Sequence, residues 1–222
     1  MGQIWLNFVV KTYQMTKLIS FISRKGGTGK TTNAINLATI IHSLGFKILL
    51  VETDTNYTLN TLRKMELFKT GAKDSQLFPI IASDDEKISA EIDAYLKKSY
   101  DYIIIDSAGK TTDNGIKKIC VSSDLVIIPT SLTQNDLLVT FQTLEDLKPA
   151  KTLNKKLKIA ILPNRINSLT KNKTITNMLS ELDAVILENF VPAKNLYTQF
   201  STILPEKDYL PISKEILTLL KS

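Results

Sequence analysis

The sequence predicts an α/β protein, a doubly wound and mostly parallel sheet flanked by helices. Three observations carry that expectation. Five short runs rich in Ile, Val and Leu lack strict polar alternation, as strands do when both sheet faces are covered. Stretches of helical periodicity separate them, the pattern of right-handed strand–helix–strand units. The first run also ends in a glycine-rich turn that opens directly into a helix. In open α/β sheets, ligands gather at that carboxyl edge.

Taken in order, residues 18–22 form the first strand. In the helix over 33–44, Ala34, Leu37, Ala38 and Ile41 share one face, and Gly45 is a natural C-terminal stop. Residues 48–51 give the second strand and 78–81 a weaker candidate. A helix over 85–97 leads to a strand at 102–105, then a helix at 114–122 and a strand at 125–128. Residues 135–147 read as helix, 159–162 as strand, 173–182 as helix, 185–190 as a weaker strand and 212–220 as the closing helix. No repeat, linker or low-complexity tract interrupts the series, so 15–222 reads as one domain and 1–14 as an extension to it.

The chain has 222 residues, 43% hydrophobic and 23% charged, which is an ordinary globular composition with enough length for a substantial core. Its net charge of +6 permits contact with nucleic acid or an anionic surface without establishing either. A single cysteine, Cys120, excludes an internal disulfide and a multi-cysteine metal site. It falls in a helical stretch and reads as a small core residue. The single histidine, His42, has no ligand cluster around it. No apolar run approaches the length of a membrane span. Residues 4–10 are apolar but lack the basic lead and small-residue cleavage site of a signal peptide. Gly2 lacks the Ser or Thr at position six that myristoylation expects.

The turn after the first strand reads Lys25-Gly26-Gly27-Thr28-Gly29-Lys30-Thr31-Thr32. Strand, glycine loop, Lys-Thr and helix is the context that makes a phosphate-loop match a site. Gly26, Gly27 and Gly29 let the backbone curl so that successive N–H groups face phosphate oxygens. Lys30 brings a cation to the β/γ-phosphates, the Thr31 hydroxyl is placed for Mg²⁺, and the helix N-terminus adds its dipole. The third strong strand ends in Asp106, a second Mg²⁺ candidate that gains weight from its order and distance behind the loop. Glu52 and Asp54, two apart at the end of the second strand, can both reach the mouth of the sheet.

The extra lysine at the head of the loop, Lys25, makes it resemble the deviant Walker A motif of the ParA/MinD family of ATPases, and the Asp106-Ser107-Ala108-Gly109 run is similar to that of small plasmid-type ParA proteins. The resemblance covers 15–222, most strongly up to Pro129. It implies ATP and Mg²⁺ as cofactors and an ATP-dependent homodimer in which Lys25 reaches the partner's phosphates, where a second cation neutralises transition-state charge. It implies that Asp54 orients the attacking water, that Glu52 lies near the metal shell where the family has Asp, and that Gly109 approaches the γ-phosphate. Thr55-Asn56 replaces the usual Pro-Gln. Asp136 matches a position able to meet Lys25, Asn164 a position facing adenine, and Pro192 a wall of the base pocket.

Family members of this kind bind DNA non-specifically as dimers, and a ParB-like partner stimulates hydrolysis, which moves DNA or other cargo across the nucleoid. The expected location is therefore cytoplasmic and nucleoid-associated. Lys194, Lys207 and Lys214 are the candidate phosphate contacts, with Lys221 nearby. Lys151, Lys155, Lys156 and Lys158 form a second basic cluster that reads more readily as a solvated loop. The alternative is a MinD-like membrane-associated ATPase. The closing helix places Ile212, Ile216, Leu219 and Leu220 on one face, but its polar side has few basic residues and no aromatic, so a core-packed helix without membrane contact is expected.

Overall fold

The computed structural model describes residues 15–54, 58–108, 114–194, 197 and 200–221. The expected N-terminal extension, the Thr55-Asn56 pair and Gly109 lie outside them. The strands are β1 (Lys17–Phe21), β2 (Ile48–Glu52), β3 (Ile80–Ala82), β4 (Tyr102–Asp106), β5 (Leu125–Thr130), β6 (Lys158–Ile166), β7 (Val185–Ile186) and β8 (Val191–Pro192). The helices are α1 (Lys30–Ser43), α2 (Thr58–Thr70), α3 (Asp85–Leu96), α4 (Asn114–Ser122), α5 (Gln134–Leu153), α6 (Asn172–Leu179) and α7 (Leu210–Lys221).

All strand pairs are parallel, in the order β3-β2-β4-β1-β5-β6-β7, with β8 also paired to β6. The order reverses on either side of β1, so the crevice at the end of β1 is the topological switch point of the sheet. The predicted fold class is the observed one.

Successive residues of a strand face opposite sides, and here both sides are apolar. Ile19, Phe21, Leu50, Ile104 and Ile127 pack against α1, α7 and Tyr209. Leu18, Leu49, Val51, Ile103 and Ile105 meet Ile88 and Ile92 of α3 and Ile119 of α4. Farther along that second side, Val126, Ile128 and Ile161 pack on α4, α5 and α6. This is why the strands read as continuous apolar runs. Cys120 is fully buried among them, and burial pushes its thiol up to about 12.

Three elements depart from expectation. α2 has no strong apolar stripe, burying only Leu59 and Arg63, so periodicity does not reveal it. α5 runs on past Pro149, because Ala150 extends the buried row of Thr143, Leu144 and Leu147 and packing offsets the lost backbone bond. The weak seventh strand shortens to two residues, and Pro192, expected in the following loop, lies in β8.

Candidate functional site

The glycine-rich turn folds as its residue types require. Gly27 has φ 75° and Gly29 φ 101°, the left-handed region that costs other residues a clash. Gly29 caps α1 with no side-chain acceptor, which leaves the first N–H groups of the helix open toward the crevice. Two buried amides support the turn from behind. Asn33 Nδ2 donates to the Gly29 carbonyl at 2.7 Å, and Asn164 Nδ2 to the Thr28 carbonyl at 2.7 Å. Asn33 is itself held by the Tyr209 hydroxyl at 2.9 Å. The loop is built into the core through α1, β6 and the turn that precedes α7.

Lys30 lies across this cradle, with Nζ 3.3 Å from the Lys25 carbonyl. Burial lowers its pKa, while the charges of Asp106, Asp54 and Asp85 pull it back up. Asp106 closes the opposite side. It is 1% exposed, and neither carboxylate oxygen makes a well-formed hydrogen bond among the described residues. Burial pushes it up to about 7 against the stabilising influence of the Thr31 hydroxyl and Lys30, with Glu52 and Asp54 adding to the rise. The buried hydroxyls of Thr28 and Ser107 likewise have no partner among the described residues. Buried polar groups are ordinarily paired, so a cluster of such orphans around one lysine marks a place prepared for a ligand. A carboxylate and a threonine hydroxyl are hard oxygen donors suited to Mg²⁺, and the N–H groups and Lys30 suit phosphate.

Lys25 points to the rim. Its Nζ is 2.7 Å from Asp136 Oδ1 in α5, and Ser131 Oγ donates to Asp136 Oδ2 at 2.5 Å. Burial opposes ionisation of Asp136, but the bonds from Lys25 and Ser131 prevail and hold its carboxyl below the usual range. Arg24 anchors the same stretch, its N–H donating to Thr143 Oγ1 at 3.2 Å and its Nε pairing with Asp146 at 3.1 Å. The expected Lys25–Asp136 contact is therefore present.

Asp54 lines a cleft of about 590 Å³ shared with Thr53, Asp85, Ala108, Asn114 and Lys118. Glu52 pairs in register with Asp106 across β2 and β4. Its carboxylate, however, is committed to α2, accepting from the Leu59 N–H at 3.0 and 3.2 Å. Burial raises the Glu52 pKa, opposed by the backbone N–H groups of Leu59, Asn60 and Thr58. Glu52 thus anchors the start of α2, where a negative side chain is favoured at a helix N-terminus. Asn164 and Pro192 are brought together on adjoining strands, with a bulge at Arg165, whose φ is 57°. The Asn164 amide faces the loop.

Lys194 pairs with Asp208 at 3.1 Å, and Lys207, Lys214 and Lys221 are exposed. In the second basic cluster, Lys151 donates to the Leu157 carbonyl and Lys158 to the Leu219 carbonyl at 2.6 Å, so both have structural partners. Sequence reasoning missed Thr53, Asp85 and Tyr209. Their partners lie 32 to 176 residues away, and no local spacing announces such contacts.

The family profile described as VirC1 protein matches residues 16–203. A curated relative, protein virC1 of Rhizobium rhizogenes, is 29% identical over 175 residues, covering 76% of this chain and 74% of its own. The sporulation initiation inhibitor protein Soj of Bacillus subtilis is 27% identical over 153 residues, covering 52% and 58%. A plasmid partition protein from Borrelia burgdorferi superposes with a TM-score of 0.67 at 22% identity, covering 94% of this chain and 99% of that one. The Cyanothece McdA(D38A)–ATP complex gives 0.66 at 20%, covering 94% and 96%. With the phosphate loop, its second lysine and the parallel sheet in place, the chain belongs to the VirC1 family, within the ParA/MinD group of P-loop ATPases.

Proposed function

We propose that this protein is a ParA-type ATPase that binds Mg-ATP, pairs with a second copy of itself, and binds DNA non-specifically in that state to position DNA or another cargo. The observation that carries the reading is the buried Asp106 carboxylate, without a well-formed hydrogen bond among the described residues, facing Thr31 and Lys30 across a cradle of open N–H groups. Thr31 and Asp106 would hold Mg²⁺, and Lys30 with residues 26–32 would hold the phosphates. Bound magnesium supplies charge neutralisation on the β/γ-phosphates.

The chain's own residues do the rest. Burial lowers the Lys30 pKa, and Asp106, Asp54 and Asp85 favour its charged form against that burial. Asp54, at the mouth of its cleft, orients the attacking water. Lys25 leaves Asp136 to meet the phosphates of the second copy, which couples pairing to hydrolysis. Asn164 and Pro192 border the base, and Gly109 completes the γ-phosphate side. A hydrolysis-stimulating, ParB-like partner would act on the assembled dimer.

For DNA, Lys214 and Lys221 lie nearly two turns apart on the exposed side of α7, with Lys207 in the turn before it and Lys194 beside Asp208. Glu215, which would weaken such a stripe, is turned inward onto the N–H groups of Glu188 and Asn189. Against the MinD-like alternative, Ile212 and Ile216 of α7 are buried in the core, so that helix has no free apolar face to give a lipid surface. No described helix is long and apolar enough to cross a membrane.

The test is binding of the full chain to non-specific duplex DNA and to anionic vesicles, with and without ATP, at about 50 and about 200 mM salt. ATP-dependent DNA binding that weakens steeply with salt is expected, with none in Lys30→Ala and loss of ATP-dependent pairing in Lys25→Ala. Vesicle binding without DNA binding would favour the membrane alternative, and ATP affinity retained in Lys30→Ala would refute the site.

A further inference from the structure

We infer that Thr53 and Asp85 form a positioning pair that ties together the two loops flanking the γ-phosphate side of the site. The inference rests on the ATPase reading above and deepens it. Thr53 lies between Glu52 and Asp54 and is 2% exposed. Its N–H donates to the Asp106 carbonyl at 3.0 Å. Its hydroxyl accepts from the Ala108 N–H at 3.1 Å and donates to the Asp85 carboxylate in a short bond. One side chain thus joins the end of β2, the segment that follows β4, and the first turn of α3. The chain of donors runs one way, from Ala108 N–H to the Thr53 hydroxyl to a carboxylate that only accepts, and such chains polarise one another.

The position of this junction gives it a consequence. Asp54, assigned to the water, is the next residue after Thr53, and Ala108 precedes Gly109, assigned to the γ-phosphate. Thr53 and the 106–108 segment cannot separate without breaking these bonds. Asp85 is fixed in turn. It starts α3 behind the Asp84 cap, whose carboxylate accepts from the Lys87 N–H at 2.7 Å. Gly115 at the start of α4 lies so close that a Cβ there would stand 2.7 Å from the Asp85 backbone. The bonds of Thr53 run to Asp106, Ala108 and Asp85 and not to the phosphate loop, so the effect of its hydroxyl falls on the geometry of turnover, whereas Asp85 also acts through its charge on Lys30.

The experiment measures ATP turnover and nucleotide affinity of the full chain in Thr53→Val, Thr53→Ser, Asp85→Ala and the Thr53→Val/Asp85→Ala pair. Thr53→Val keeps the shape and removes the hydroxyl. A fall in kcat of roughly ten- to hundred-fold is expected, with KM and nucleotide affinity within about two-fold, since small misplacements of reacting groups cost that much. Thr53→Ser restores most of the rate. Asp85 is only partly buried, so Asp85→Ala breaks the same link without threatening the fold, and because it also removes a charge acting on Lys30 its nucleotide affinity is allowed to change while that of Thr53→Val is not. The double variant falls no further than the worse single one. Native turnover with an unchanged Thr53→Val rate, or additive losses, overturns the junction alone. No turnover by the native chain with ATP, DNA and Mg²⁺ present overturns the ATPase reading and the junction with it.

Discussion

Two tyrosines in edge-to-face contact, with ring centroids 6.4 Å apart, provide a controlled test of how the phosphate loop is supported. The Tyr209 hydroxyl donates to Asn33 Oδ1, and Asn33 passes the support to the Gly29 carbonyl. The Tyr197 hydroxyl is also shielded from solvent, though its ring is less deeply placed, and has no partner among the described residues. Deleting each hydroxyl by substitution with Phe removes the same atom from the same neighbourhood. In Tyr209→Phe a buried acceptor is orphaned, which costs about 2 kcal/mol, within the usual range for such a loss. For a chain of this length that lowers Tm by about 4–8 °C. In Tyr197→Phe no bond is lost and a buried, unpaired hydroxyl disappears, so stability holds within about 0.5 kcal/mol or rises. Urea and thermal unfolding of the full chain measure both. In an Asn33→Leu background the sign for Tyr209→Phe reverses, because the orphan is then the tyrosine hydroxyl itself. Equal losses from the two tyrosines, or no reversal, would refute the support chain.

Gly29→Ala forces φ 101° on a residue with a Cβ and sets that atom 2.2 Å from Asn164 Nδ2, so about 3 kcal/mol is lost and nucleotide binding fails; adding Asn164→Ala recovers part of the melting temperature but not the left-handed strain. Gly115→Ala meets backbone atoms of Asp85 and Glu86 rather than a movable side chain, so α3 and α4 separate, with a cost of about 2 kcal/mol by urea titration; a melt unchanged from native would show that the contact yields freely. The Asp136 carboxyl titrates below the ordinary carboxylate range in an NMR pH series and moves upward in Lys25→Ala. Because its folded pKa is depressed, the stabilisation from this pair is present above the usual carboxylate range and is lost only as pH falls through the depressed value, so Lys25 stays paired at neutral pH; an Asp136 titration indifferent to Lys25→Ala would sink the pairing.

The parts of this protein that were legible in its sequence are those whose physics is local. A strand buried on both faces announces itself by its own side chains, as Tyr102 to Ile105 do. A loop that must curl around an anion needs glycine at set intervals, as Gly27 and Gly29 supply. Asp106 was legible because it ends such a strand. α2 was not, because its stabilisation comes from far away. Arg63 donates to Thr202 Oγ1 at 3.0 Å and to the Thr202 carbonyl at 2.9 Å, and Glu66 accepts from the Thr202 N–H at 2.8 Å. A helix held by ion pairs and amide contacts rather than an apolar stripe leaves no period to read. Asn164 was legible as a site candidate but its contact was not, since its bond to Thr28 depends on where the end of β6 lies relative to the loop after β1, with β5 between the two strands.

Glu52 shows how the two kinds of information combine. Its position in the chain implies a place near the metal, since it pairs in register with Asp106. Its length gives it a second attachment. A carboxylate on a side chain one methylene longer than aspartate reaches the N–H of Leu59, and the helix dipole there rewards the charge that burial would otherwise neutralise. The result is that α2 begins under the control of a residue one step from Thr53 and two from Asp54. The Thr202 segment, clamped on α2 by Arg63 and Glu66, is thus joined through Glu52 to the end of β2. Glutamate at this position therefore attaches the end of β2 to α2 through the Leu59 N–H.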